Sequence, residues 1–363
     1  MERTSIATQA RKFQKVARRK QVELRHESEV YGKSAEELDE IGKQFFEQGQ
    51  LSAAHKHFIA SLKKKANPNV MFRTASCLLE LARPQEAKQY LKQSCELAPD
   101  SQPEKWLTLG ELEEGKDSLC CLEKAVELLE RELASEPVAM DEDMEGGASE
   151  NTNNARKFTS RKLSNAYVCI SELFTTDLCD EPNAEERVVA SIEKALELDP
   201  SNPEAVQAKA SYHLIKGEFE DATREIKRSL DMWLPAFERS VEGGLEDADE
   251  QVPPFNVRLS AVKLLLDLEL FTEATTILDG LVLEDENCVD VWYLLGWTNF
   301  LRMDHYLPTA KFYLKKASKV GSAYGCDDEG MMNHIEELLE DLKEIQSEDE
   351  DDEDSWSTED EEN

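Results

Sequence analysis

The chain has 363 residues, and its 77 acidic against 42 basic residues give a net charge of −35. A surface this negative repels nucleic acid and anionic membranes, so it excludes them as direct partners and favours a basic partner. With only 15 glycines and 12 prolines, the composition is not that of a loop-rich or β-rich protein. Solubility alone stays open as an explanation of the charge.

The apolar runs and the cysteines of the sequence indicate where the protein is found. The sequence has no run of 18 apolar residues and no apolar signal core at its start, so we expect no membrane span and no secretion by that route. Its eight cysteines are scattered, with no C-x-x-C pair, and most lie in helical patterns beside apolar residues. We expect reduced core cysteines in a cytosolic or nuclear protein.

In chain order, the first segment is a basic arm over residues 1–30, which has eight Lys or Arg and four Glu. Three interpretations stay open: a nuclear-import signal, a solvated arm that folds back on the acidic body, or a transit peptide. Glu23, Glu27 and Glu29 weigh against the transit peptide, because such peptides are poor in acids.

Three helix pairs are predicted after the arm. Ser34 and Glu37 have the spacing of a capping box and mark the first helix start. In each pair the first helix has apolar and small residues at helical spacing, and the second has small residues where the first presses in. The marker residues are Leu38, Gly42, Ala54, Phe58 and Ser61, then Met71, Ala75, Leu78, Ala87, Leu91 and Ser94, then Trp106, Leu109, Gly110, Ser118, Leu122 and Ala125.

Acidic segments interrupt the next pairs. Residues 132–154 hold seven acids and no Lys or Arg, and 239–254 are acidic with Gly and Pro, so both predict loops. Three further pairs lie after the first loop, with marker residues Ala166, Ile170, Val188, Ile192 and Ala195, then Val206, Ala210, Ala222, Ile226 and Ser229, then Ala261, Val262, Leu265, Ala274, Leu278 and Leu281.

The clearest pair is the seventh, over residues 290–318. Trp292, Leu295 and Gly296 form W-x-x-L-G, and the second helix has an A-x-x-x-L-x-x-A half-pattern centred on Leu314. These two half-patterns in this order are the signature of a tetratricopeptide repeat. Since one pair cannot bury its own apolar face, it needs stacked neighbours. The sequence therefore predicts an all-α superhelical solenoid of about seven tetratricopeptide helix pairs over 31–346.

Two segments end the chain. Helical spacing of apolar residues over about 329–346 predicts a helix that caps the last pair. Residues 347–363 hold eleven acids and no base, so we expect a disordered acidic tail. The arm and the tail leave −28 of the net charge of −35 on the body between them. Acidophilic phosphorylation of the tail stays open.

No pattern predicts catalysis. Phosphate-binding, dinucleotide-binding, zinc-protease and nucleophile-elbow motifs are all missing from the sequence. His55 and His57 are the only close histidine pair, and residues two apart on a helix face away from each other. We expect no enzyme, no cofactor, no metal site and no catalytic residue.

The binding surface is predicted from repeat geometry, in which the first helix of each pair lines a concave groove. Counted from the Trp292 position, the groove residues form an acidic N-terminal half and an aromatic C-terminal end, which suits an extended basic peptide with apolar side chains. For the acids a merely solvated face stays open, as does packing of the aromatics under the capping helix. The candidate residues are Glu36, Asp39, Glu104, Glu111, Glu114, Asp290, Tyr293, Trp297 and Phe300.

One alternative can be tested on the sequence. Tetratricopeptide domains that bind Hsp90 and Hsp70 hold a C-terminal carboxylate with Lys and Asn at fixed groove positions. This chain has Asp39 where that clamp needs Lys, and Lys43 and Arg73 where it needs Asn. We expect no carboxylate clamp of that type.

The whole arrangement resembles one family, the dedicated assembly chaperones of a large-subunit ribosomal protein, the one usually numbered four. The resemblance rests on A-R-K-F-Q-K-V-A-R-R-K at Ala10–Lys20, W-Y-L-L-G-W at Trp292–Trp297, and the acidic run from Ser347 to the end. It implies a solenoid that captures a long basic loop of the newly made client, shields it from aggregation and RNA, accompanies it to the nucleus and releases it onto the pre-ribosome. A cytoplasmic and nuclear location follows.

Two other functions stay open. The first is an escort of another basic client, such as a histone. The second is a scaffold subunit that joins neutral partners, in which the acidity serves solubility alone.

Overall fold

The computed structural model describes residues 32–135, 148–243, 251–326 and 328–345. Within this part of the chain the regular structure is helical, with fifteen α-helices and one 3-10 turn over Asp304–Tyr306. The chain divides into two compact units, residues 1–181 and 182–363. The predicted all-α class and helix-pair architecture are confirmed. The predicted arm and acidic tail lie outside the described residues.

The first unit consists of three helix pairs followed by a seventh helix, and each helix packs against its successor. Its helices are α1 (Ala35–Glu47), α2 (Leu51–Lys64), α3 (Pro68–Glu80), α4 (Pro84–Leu97), α5 (Pro103–Leu112), α6 (Gly115–Ser135) and α7 (Ala148–Thr175). Pro68, Pro84 and Pro103 each begin a helix, where the missing N–H costs no hydrogen bond. The predicted capping box of α1 forms, with Glu37 N donating to Ser34 Oγ over 3.1 Å.

The second unit has one helix, then three helix pairs, and ends on a single helix. Its helices are α8 (Ala184–Leu198), α9 (Pro203–Ile215), α10 (Phe219–Glu242), α11 (Phe255–Asp267), α12 (Phe271–Glu284), α13 (Val289–Arg302), α14 (Leu307–Tyr324) and α15 (Glu329–Asp341). The last helix packs against α14 and buries Ile335 and Leu338, as a cap on the last pair requires.

Glycine allows the closest approach within the pairs. A Cβ placed on Gly296 of α13 would lie 2.6 Å from Leu314 Cγ of α14. The same relation holds in the first pair, where a Cβ on Gly42 would lie 2.5 Å from a ring carbon of Phe58. Any larger residue must push the two helices apart, which accounts for the small residue at this position of the repeat.

Both predicted acidic loops are shorter than the sequence indicated. The helix α6 continues to Ser135 and α7 already begins at Ala148, so the ends of the predicted 132–154 loop are helical. Arg156 of α7 donates to the Leu133 carbonyl of α6 over 2.9 Å, which ties these two helix ends together. Acidic residues near a helix start also interact favourably with the helix dipole, so acidity there does not prevent a helix. Likewise, α10 runs to Glu242 within the predicted 239–254 loop.

One buried ion pair in the second unit was not predicted. Arg258 of α11 is 4% exposed, and its guanidinium lies 2.8 Å from a carboxylate oxygen of Glu284 on α12. It also donates to the Pro253 carbonyl over 2.9 Å and lies 4.6 Å from the ring centre of Phe237. This arginine therefore joins α10, α11, α12 and the segment before α11.

Candidate functional site

In the first unit, the two candidate acids of α1 already have cationic partners. Glu36 lies 2.9 Å from Lys65 Nζ, and the hydrogen bond from that lysine lowers the pKa of the carboxyl. Asp39 is nearly buried and accepts two hydrogen bonds from Arg73 of α3, over 3.0 and 2.5 Å. Since these charges are neutralised within the unit, little of their negative field is left for a partner.

The residues at two positions of that carboxylate clamp, Lys43 and Arg73, take part in the same contacts. Arg73 forms the two-point ion pair with Asp39 just described, and Lys43 Nζ lies 2.9 Å from Glu40 and 3.9 Å from Asp39. A cation held in this way is a weaker ligand for an added carboxylate, because the pair must first be separated.

On α5, Glu104 and Glu111 have different surroundings. Glu104 forms an ion pair with Lys162 of α7. Burial raises the pKa of Glu104, but the hydrogen bond and charge of Lys162 outweigh that effect and leave the pKa below its ordinary value. Glu111, two helical turns further on, has no hydrogen bond or ion pair within the described residues.

Glu111 is exposed but partly desolvated. Its side chain is open to solvent, yet the protein atoms around it raise the pKa of its carboxyl above the ordinary value. No cation of the described residues opposes this effect. A carboxylate that is partly desolvated and unpaired gains more from an added cation than a fully hydrated one does.

Glu114 is not on the helix where it was predicted. The helix α5 has only ten residues and ends at Leu112, and α6 begins at Gly115, whose positive φ of 53° makes the turn. Glu114 therefore lies in the turn between them and is exposed.

In the second unit, the three candidate aromatics of α13 form a half-buried cluster. The rings of Trp297 and Phe300 are stacked, with centres 5.6 Å apart and planes 13° apart. His334 of α15 lies edge-on to Trp297 at 4.9 Å, and its Nδ1 is 2.8 Å from the hydroxyl of Tyr293. Burial raises the pKa of Tyr293. The cluster is thus partly used to seat the capping helix and keeps part of its ring surface open.

Asp290 lies in the first turn of α13 and is half-buried, with no ion pair within the described part of the chain. Its carboxylate interacts favourably with the positive N-terminal end of the dipole of its own helix. Of the nine candidate residues, Glu111, Glu114 and Asp290 are therefore the acids that no described cation neutralises. His334 is the residue of this region that sequence reasoning missed, because the capping helix has no repeat pattern that assigns its contacts.

Two other features of the second unit are a groove and a cluster of side chains of metal-ligand type. A groove of about 480 Å³ between α8 and α9 has an apolar floor that includes Val189 and Leu196. His213, Glu218 and Asp221 place ligand atoms within 4.8 Å of one another. The bond of 2.6 Å from His213 to Glu218 and the ion pair of 2.6 Å from Asp221 to Arg224 account for that cluster without a metal. In the described residues, no helix combines the length and the apolar character that crossing a membrane requires.

Comparisons with known proteins agree on the repeat and on the family. A family model described as "Tetratricopeptide repeat" matches residues 40–102. A Schizosaccharomyces pombe protein named "Probable assembly chaperone of rpl4" is 31% identical over 289 residues, which are 75% of this chain and 79% of that protein. A protein of the same name from Emericella nidulans is 36% identical over 117 residues, 32% of this chain and 28% of that protein.

A solved structure points the same way. It is described as "Assembly Chaperone of RpL4 (Acl4) (Residues 1-338)", is 25% identical in sequence, and superimposes with a TM-score of 0.59. The match covers 74% of this chain and 97% of that one. The similarity therefore extends over most of both chains rather than over one repeat.

Proposed function

Because the chain belongs to the family of assembly chaperones of rpl4, we propose that it binds newly made rpl4, protects a basic segment of it and escorts it to pre-ribosome assembly in the nucleus. Membership of this family makes the protein a chaperone and not an enzyme.

The observation that carries the proposal is the unpaired carboxylate of Glu111. Glu104 on the same helix has Lys162 as a partner, whereas Glu111 has no described cation near it and a pKa that burial has raised. A lysine or arginine of the client supplies the missing partner and stabilises the charged form of this carboxylate. Glu114 and Asp290 offer further unpaired acids to the same client.

The aromatics of α13 give the client a second kind of contact. Stacked Trp297 and Phe300 present half-exposed faces, and such faces bind both apolar side chains and the cations of Lys and Arg. The rings of the second unit therefore suit the apolar and cationic side chains of a basic segment.

The negative charge also explains protection and release. An unfolded basic segment otherwise binds RNA non-specifically through counterion release. An acidic surface steers the segment to the chaperone and neutralises it there. The more highly charged ribosomal RNA then takes the segment over at the pre-ribosome. We propose that the chaperone works in both cytoplasm and nucleus on this route.

The direct test is a pull-down of tagged full-length protein from growing cells, with partners identified by mass spectrometry. We expect rpl4 as the main partner at near-equal amount. Recovery of histones at that level would instead make the protein an escort of a different basic client. Recovery of a set of neutral proteins without rpl4 would make it a scaffold and leave the charge to solubility.

A further inference from the structure

The helix α14 is an exception in this acidic protein. Its eighteen residues, Leu307–Tyr324, include four lysines and no Asp or Glu. Lys311, Lys315 and Lys319 are four residues apart, so they follow one face of the helix. The buried residues of α14, among them Leu314, lie on the other side. We call Lys311, Lys315, Lys316 and Lys319 the lysine row.

The lysine row is not neutralised by its surroundings. Lys315 and Lys319 are exposed, and neither they nor Lys316 form an ion pair with any carboxylate of the described residues. Lys316 lies 5.4 Å from the ring centre of Trp292. Phe312, which is 38% exposed, lies among these lysines on the helix surface. A cationic row with an apolar side chain in it is a surface suited to an anionic segment.

The chain itself brings such a segment to this surface. Lys311 Nζ donates to the Ile345 carbonyl over 2.6 Å and to the Lys343 carbonyl over 3.2 Å. The last described residue therefore lies at one end of the lysine row. From Lys311 to Lys319 the helix rises only about 12 Å. The seventeen residues 347–363 can span up to about 55 Å when extended, so their length is ample.

We propose that the C-terminal segment 347–363 docks on the lysine row of its own chain. That segment has eleven acids, no base and one aromatic residue, Trp356. Its charge is opposite to that of the row, and Trp356 gives a lysine or Phe312 a ring to stack on. Because the segment is attached beside the row, its effective concentration there is high, and weak ion pairs suffice to hold it.

Docking of the segment does not depend on the proposed function, but it changes the surface that the chain presents to RNA. The helix α14 is the second helix of its pair, so the acidic segment lies apart from the first helices whose residues are the candidate client contacts. It covers the lysine row, which as a bare surface would attract RNA. The segment then acts as an internal polyanion that keeps RNA from this face.

The test is zero-length carbodiimide crosslinking of the full-length protein, which joins a lysine to a carboxylate only when they touch. A mixture of ¹⁴N- and ¹⁵N-labelled protein separates crosslinks within one molecule from those between molecules. We expect crosslinks from Lys315 and Lys319 to residues 347–363 within one molecule, at least fivefold more frequent than those from Lys263. Lys263 lies on α11 of the same unit and is also exposed and unpaired within the described residues.

Two variants with the same charge change separate a local effect on docking from a general effect of charge. Lys319→Glu should lower the crosslinks formed at Lys315 at least twofold, because the docked segment loses one cation and meets a like charge. Lys263→Glu makes the same charge change and should leave them as they are. The proposal is overturned by crosslinks as frequent at Lys263 as at Lys315, by equal effects of the two variants, or by crosslinks found only between molecules, which would assign the row to a second copy.

Discussion

The candidate acids of the first unit and the candidate aromatics of the second unit differ in how the fold already uses them. What the fold does not use is the charge or ring surface that a partner can contact. In the first unit, some acids are already paired and others are not. Asp39 and Glu104 form ion pairs within the unit, whereas Glu111 has no cationic partner among the residues that the structure describes. In the second unit, each aromatic residue has both roles. Trp297 and Phe300 use part of their surface for packing and leave the rest open. A residue at a groove position is therefore a binding residue only to the extent that the fold does not already use it.

The largest loss of stability is expected from a core substitution in each unit. Leu91 of α4 and Leu314 of α14 are both completely buried, so each change to Ala should cost about 2–5 kcal/mol of unfolding free energy. Leu314→Ala should raise hydrogen exchange in α13 and α14, and Leu91→Ala in α3 and α4, because repeats contact mainly their neighbours. Equal loss of protection in both units from either change would contradict two separately packed units.

A smaller effect separates structural from binding acids. The double change Asp39→Asn with Arg73→Gln removes a two-point ion pair but leaves the net charge of the unit unchanged. We expect a loss of about 1–3 kcal/mol in urea unfolding and an unchanged affinity for rpl4, because this acid has no free charge to offer. A clear loss of affinity at full folding would make Asp39 a client contact.

The aromatic cluster can be divided in the same way. His334→Ala removes the edge contact to Trp297 and the bond to Tyr293, and should cost about 1 kcal/mol of stability with little effect on client binding. Trp297→Ala should reduce both stability and affinity, because it also removes the ring offered to the client. Equal loss of affinity in the two variants, measured by calorimetry, would mean that the cluster only seats α15.

The smallest expected effect is a change in melting temperature when the partly desolvated carboxylate of Glu111 is removed. Its folded-state pKa is raised above its unfolded value, so its ionised form destabilises the fold above that pKa, and the penalty disappears as pH falls through it. Glu111→Gln should therefore raise the melting temperature at pH 7 by up to about 2 °C, and the gain should vanish near pH 4. The same change at the hydrated Glu96 serves as the control. A lower melting temperature at pH 7 would mean that Glu111 has a stabilising partner.

The order of helices and the close approach at Gly296 could be predicted, because repeat spacing reports directly which residues face the partner helix. The pairing of side chains could not. Whether Glu104 is neutralised depends on Lys162, which is 58 residues away in sequence and outside the repeat pattern. Arg258 was missed for a related reason, since a buried arginine depends on Glu284 and Phe237 from other helices. Glu114 was misplaced because pattern counting assumes a first helix of full length.

The central claim is that an unpaired carboxylate on the first helices binds the basic client. We would titrate purified rpl4 with two full-length variants that make the same charge change, Glu111→Lys on α5 and Glu96→Lys on the second helix α4. Glu96 is also exposed and unpaired within the described residues. In about 0.05 M salt, where screening is weak, Glu111→Lys should lower the affinity at least about fivefold, or about 1 kcal/mol, and Glu96→Lys less than about twofold. Equal losses in the two variants would show that only net charge matters and would contradict the account.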